Sequence, residues 1–229
     1  MTTQAPDPYS THWSRIDALY GQQPESAWQW FVGRYRPFVR EVLFAALPKG
    51  ADVPSAEGEF WGYLFLSKVV ERADRHRRFR ALLFGTLRNF ARRWRDSRGL
   101  EPLPNDALDA LMAEDTAAAT ATRLWAQNVL RNGLDELRKE SPASAEALEI
   151  FYGIGKDTQE GPARQGPEVA ERLGLSPQGI YMHLYRARAR LRHCIEAELR
   201  DACADEEAFQ DEMRLLLRIT AAKAPGLME

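Results

Sequence analysis

Cysteine is nearly absent: the 229-residue chain holds two, Cys194 and Cys203. On one continuous helix they would lie about 2.5 turns and roughly 13.5 Å apart on opposite faces, beyond the reach of a disulfide. They read as small apolar packers in a reducing cytoplasm. Long apolar runs are missing too. No stretch approaches the roughly 20 residues of a membrane span, and the opening MTTQAPDPYSTHW has neither the basic flank nor the apolar run of a signal peptide. The expectation is a cytoplasmic chain that does not enter a membrane. Catalytic signatures are equally scarce, with no Gly-rich phosphate loop, HExxH, CxxC or GxSxG element. The four histidines, His12, His76, His183 and His193, are scattered along the chain. Asp52, Glu57 and Glu59 read as carboxylates near a positive helix start rather than as catalytic acids. A non-enzyme without metal or cofactor is expected.

What is present is segregated charge. The formal net charge is only −2, yet residues 51–100 carry 11 Lys and Arg against 6 Asp and Glu, and residues 164–200 carry 7 against 4. Between these basic blocks, Glu101, Asp106, Asp109, Glu114 and Asp115 occur with no Lys or Arg across residues 101–122, and residues 201–229 hold 7 acidic groups against 3 basic ones. Because salt screens charge over about 8 Å, the local blocks decide polyanion binding, and the pI near 6.2 does not.

The apolar residues recur at helical spacing throughout, which predicts an all-α fold. A helix from Glu25 to about Leu47 carries Trp28, Phe31, Val32, Tyr35, Val39 and Leu43 on one stripe, and Pro48 and Gly50 stop it. In EFWGYLFLSKVVERA, apolar residues surround most of the circumference. That helix is either central and buried on all sides, or packed on one face and docked on a partner by another. A third helix is expected over Arg78 to Arg98 with Leu83, Leu87, Phe90 and Trp94 as its core stripe. Arg80, Phe84, Arg88, Arg92 and Arg95, at spacings of 4, 4, 4 and 3, read as an exposed line in which a ring alternates with cations. A solvated basic face is one reading; nucleic acid is the other, since guanidinium groups bind phosphate and rings stack on unpaired bases.

LEPLPNDALDALMAEDTAAATA, with Pro102 and Pro104, reads as an extended and then weakly helical linker. Helices resume at Arg123 and at about Ala143 to Tyr152, followed by the loop GIGKDTQEGPARQGP. Pro167 opens a short helix with Val169, Ala170 and Leu173 apolar, and Gly174 ends it. Ser176 is a good N-cap and Pro177 suits the first position of the next helix, on which Ile180, Leu184, Ala187 and Leu191 form the core stripe. Two helices joined by about three residues make a helix-turn-helix. Arg186, Arg188, Arg190 and Arg192 stand on alternate positions of its second helix and therefore serve several sides of it. Phe209, Met213, Leu216 and Leu217 place one more amphipathic helix in the acidic tail, whose carboxylates are candidates to fold back on those arginines.

RFRALLFGTLRNFARRWRDSR, the acidic linker and AERLGLSPQGIYMHLYRARARLR, in that order, resemble an extracytoplasmic-function (ECF) type bacterial sigma factor, the smallest class of RNA polymerase specificity subunit. The similarity covers about Trp28 to Ile219 and is closest to a subset with an acidic C-terminal extension. It implies two small helical domains: an N-terminal segment (1–24), a region 2-like domain (25–99), the acidic linker (100–122), a region 4-like helix-turn-helix domain (123–200) and the extension (201–229). The first domain would bind the polymerase clamp helices and open the minus-ten element. The second would read the minus-thirty-five element as duplex DNA and meet the polymerase flap. Carried onto this chain, the resemblance gives a DNA-reading set of Gln178, Tyr181, Met182, His183, Tyr185, Arg186 and Arg188. It gives a promoter-melting face of Arg80, Phe84, Arg88, Asn89, Arg92 and Arg95, and polymerase contacts at Phe60, Trp61, Tyr63 and Leu64. The implied partners are RNA polymerase core, promoter DNA and a regulatory protein such as an anti-sigma factor.

The chain departs from the family at three places. GEFWGY stands where the family has a polar stretch resembling AEDLTQ, so Phe60 and Tyr63 replace an Asp and a Gln. Leu82 replaces a Trp. Tyr181 stands where Lys or Arg is common, which implies an atypical promoter sequence. The function expected is promoter recognition and opening in transcription initiation. A sigma-like regulator that binds DNA or a protein partner without core polymerase is the alternative.

Overall fold

The structure, a computed structural model, describes residues 16, 18–21, 24–71, 79–100, 108, 110–111, 120–154, 164–203 and 205–228, with the backbone alone at 201 and 223. These residues form eight α-helices and no strand: α1 (Pro24–Ala46), α2 (Val53–Ser67), α3 (Phe79–Asp96), α4 (Thr120–Glu140), α5 (Pro142–Tyr152), α6 (Gly166–Leu173), α7 (Gly179–Ala202) and α8 (Glu206–Lys223). The chain is all-α, as the periodicity predicts. The carboxylates expected of the linker, together with His12 and His76, lie outside the described residues.

Local chemistry sets the helix ends. Asp52 caps α2 by accepting a hydrogen bond from Ser55 N at 3.0 Å, and Lys68 closes that helix in the left-handed region at φ 50°. Asp205 accepts from Ala208 N at 2.8 Å and so opens α8. Among the described residues no helix is long and apolar enough to cross a membrane, and no cluster of His, Cys, Asp and Glu could hold a metal ion.

Contacts divide the chain into two units, one of residues 1–128 with 200–212, the other of residues 129–199 with 213–229. In the first, α1, α2 and α3 pack on one another. Phe31, Tyr35, Phe38, Phe60, Phe79 and Phe84 are buried at their centre. Trp125 of α4 completes that cluster, with its ring 6.0 Å from Tyr35 and 5.7 Å from Phe38. Next to it, Asn128 donates to the Arg34 carbonyl at 3.2 Å.

The other component of this unit comes from the acidic tail. Glu212 of α8 accepts from Arg80 Nη2 at 2.8 Å and from Nε at 3.1 Å, and both side chains are buried. The Arg80 guanidinium also lies 5.7 Å from the centre of the Phe84 ring. The tail thus divides between the units, and its Glu212 pairs with α3, while Glu206 pairs with Arg200.

In the second unit, α5 packs on α6, and α7 presents Ile180, Leu184, Ala187, Leu191 and Ile195 to the interior. A Cβ on Gly133 of α4 would come within 2.5 Å of Ile195 Cγ1, so glycine permits this close helix contact. Asn132 donates to Glu198 at 3.0 Å beside it. Cys194 is buried and is not joined to Cys203. Burial pushes its thiol pKa up, and Glu140 and Glu136 add to the shift.

Removing one partner of a buried ion pair strands the other charge. Glu212→Ala is therefore expected to cost about 3–5 kcal/mol of stability, read as a fall in the urea midpoint. The double change Arg80→Leu with Glu212→Leu should recover most of that loss. A single variant as stable as the parent would show that the pair is not buried in solution.

Candidate nucleic-acid interface

The turn between α6 and α7 is built as its residue types require. Gly174 ends α6 at φ +65°, a left-handed conformation that glycine adopts without strain, and its N–H and that of Leu175 reach back to carbonyls of the last turn. Ser176 Oγ then accepts from Gly179 N at 3.0 Å, and the Ser176 carbonyl accepts from Ile180 N at 3.1 Å. Ser176 is thus the N-cap, with Pro177 and Gln178 leading into regular helix at Gly179.

Opposite the buried stripe, Gln178 just before α7 and Tyr181, Met182, Tyr185 and Arg186 on it are exposed. Tyr181 is 58% exposed, Met182 54% and Tyr185 66%. The Tyr181 hydroxyl lies against α6, where a Cβ on Gly166 would come within 2.8 Å of it. Arg186 has no hydrogen bond or ion pair among the described residues. The other arginines of the alternating series are engaged. Arg188 donates to the Tyr152 hydroxyl at 2.8 Å and lies over the Phe151 and Tyr152 rings. Arg190 donates to Ser141 Oγ at 3.1 Å, and Arg192 pairs with Glu196 at 3.0 Å. His183 Nε2 lies 3.4 Å from the Ala143 carbonyl. Arg188 and His183, both expected to read DNA, thus each contact a residue of α5, Tyr152 and Ala143.

On α3 the expected exposed line is largely interior. Arg80 is 2% exposed, and Phe84 and Arg95 are buried as well. The reason is geometric. A step of four residues advances the azimuth by about 40°, so the line starts beside the Leu83 stripe and winds outward only at Arg88 and Arg92. Arg95 turns back on its spacing of three and donates to the Ala46 carbonyl at 3.0 Å. Arg88 is half-buried, and Asn89 and Arg92 are exposed, 3.4 Å apart through a hydrogen bond.

The expected polymerase contacts divide in the same way. Phe60 and Leu64 are buried in the first unit, and so are corrected to core residues. Trp61 and Tyr63 are half-buried, and Tyr63 is braced by Arg93, whose Nη2 donates to its hydroxyl at 2.9 Å. Helix α2 is not buried on all sides. Val53, Ala56, Glu57, Phe60 and Leu64 make one interior stripe, and Phe65 and Leu66 point outward, Leu66 with 81% exposure. The sequence counts both among the apolar residues around this helix but does not single them out for a partner, although at about 100° per residue they lie well away from Phe60. Phe44, near the end of α1, is exposed too.

Compared with known proteins, the chain matches no family profile, no curated protein and no solved structure.

The two kinds of arginine on α7 should separate by stability. Arg186→Ala is expected to shift unfolding by no more than about 0.5 kcal/mol, as for an exposed substitution. Arg188→Ala, which loses a charged hydrogen bond, should cost about 1.5–3 kcal/mol. Equal effects in denaturant titrations would contradict this partition.

Proposed function

We propose that the chain is a transcription initiation factor of the ECF sigma type, whose helix-turn-helix reads promoter duplex and whose N-terminal helices engage RNA polymerase core. One observation carries the reading: directly after a Ser176-capped turn that exposes Gln178, α7 turns Tyr181, Met182, Tyr185 and Arg186 outward from a fully apolar stripe. A helix of this kind enters the major groove by its first turns, where long side chains reach base edges. On α3, the positions left for unpaired bases are Arg88, Asn89 and Arg92. On α2, Phe65 and Leu66 are the outward apolar groups for a polymerase surface, flanked by Trp61 and Tyr63.

A second reading is favoured by the burial of Phe60, Leu64, Arg80, Phe84 and Arg95. With those residues committed to the fold, the N-terminal unit has a reduced surface for clamp and melted DNA. The chain would then be a regulator that binds duplex DNA without core polymerase.

Gel filtration with core RNA polymerase, followed by transcription from selected promoter fragments, separates the two. The initiation factor co-elutes with core and directs transcripts; the regulator binds the fragments and does neither. If α2 docks on polymerase, Leu66→Asp should abolish co-elution and leave the circular-dichroism melt unchanged, because Leu66 contributes little to the core. Co-elution that survives this change would remove α2 from the docking surface.

A further inference from the structure

Over its first turns, the outward side of α7 carries more hydrocarbon than charge. At about 100° per residue, Gln178, Tyr181, Met182, Tyr185 and Ala189 fall within a sector of about 100°, with Arg186 just beyond its edge; Arg192 shares the sector further along the helix, paired there with Glu196. Three large, largely apolar side chains exposed together on one helix mark a surface made for a partner. Base edges in the major groove present mainly hydrogen-bonding groups, and the C5-methyl of thymine is the one methyl among them. Resting on the reading of α6 and α7 as a duplex-reading helix-turn-helix, we propose that Met182 and Tyr185, with Tyr181 beside them, are specificity residues that bury thymine methyls, so that the site read by the first turns of α7 is rich in thymine.

The geometry suits that role. Met182 and Tyr185 are three residues apart on one face, a rise of about 4.5 Å, which is close to the roughly 3.4 Å between successive bases of a strand. The methionine is unbranched and adapts its shape to a methyl group. The tyrosine offers a rigid ring with a polar tip. Tyr181 is held in place, since its hydroxyl rests on Gly166 of α6 and the absent Cβ there leaves room for it. Arg186, without a partner among the described residues, adds a contact at the edge of the same face. Arginines that could have favoured guanine, Arg188 and Arg190, are turned to Tyr152 and Ser141 instead.

Deoxyuridine tests this directly, because it removes the thymine methyl and keeps every hydrogen-bonding group. Preferred duplexes would be selected from random sequence with the full chain, alone and with core polymerase, and each thymine then replaced in turn. A buried methyl is worth about 0.8 kcal/mol, so affinity should fall about fourfold at each contacted position. Met182→Ala should abolish the thymine–deoxyuridine difference at one position and Tyr185→Ala at a neighbouring one. Both side chains are exposed, and an unchanged circular-dichroism melt checks that the variants fold. Equal binding of thymine and deoxyuridine duplexes at every position overturns the proposal and leaves DNA binding intact. Failure to select any duplex overturns the proposal together with the DNA-reading function beneath it.

Discussion

A single buried ion pair constrains much of this molecule. Arg80 and Glu212 are almost fully removed from water, and neither charge could be buried alone without a cost of several kcal/mol. Their pairing ties the first turn of α3 to the second turn of α8 and fixes what each helix can do. It takes Arg80 out of any contact with nucleic acid. It makes the first part of the acidic tail, as far as Glu212, a component of the first unit's interior. Phe84, against which the guanidinium packs, is held inside by the same contact.

The parts legible in the sequence are those set by local chemistry. Gly174, Ser176 and the stripe from Ile180 to Leu191 act within a few residues of themselves, and the structure has the turn and the interior face where those residue types put them. The parts that were not legible depend on distant partners. An arginine on a helix looks the same in sequence whether it faces water or a carboxylate 132 residues away. Arg95 and Arg188 repeat the lesson, one held by the Ala46 carbonyl and the other by Tyr152. Drift of a four-residue row around the helix was readable in principle, and it separates Arg80 from Arg92 without any knowledge of the tail.

Alternating arginines on α7 show how one sequence pattern serves different ends. Successive positions two apart point to different sides of a helix. Arg188 and Arg190 consequently fasten α7 to neighbouring residues of its own unit, whereas Arg186 stays outside. A basic count for such a segment overstates the charge it can offer to a phosphate backbone. Over the first turns of α7, what remains outward is Tyr181, Met182 and Tyr185 with Arg186, a surface of shape and hydrocarbon as much as of charge.

The span between Arg80 and Glu212 also sets an order of events during synthesis. Domains usually fold as they emerge, N-terminal part first, at about 5–20 residues per second. With 132 residues between the two charges, Glu212 follows Arg80 by roughly 7–26 s at that rate. Throughout that interval the first three helices are available to collapse around their aromatic cluster, yet the guanidinium lacks its carboxylate. Until residue 212 has been made, this charge in the interior of the first unit stays without its partner.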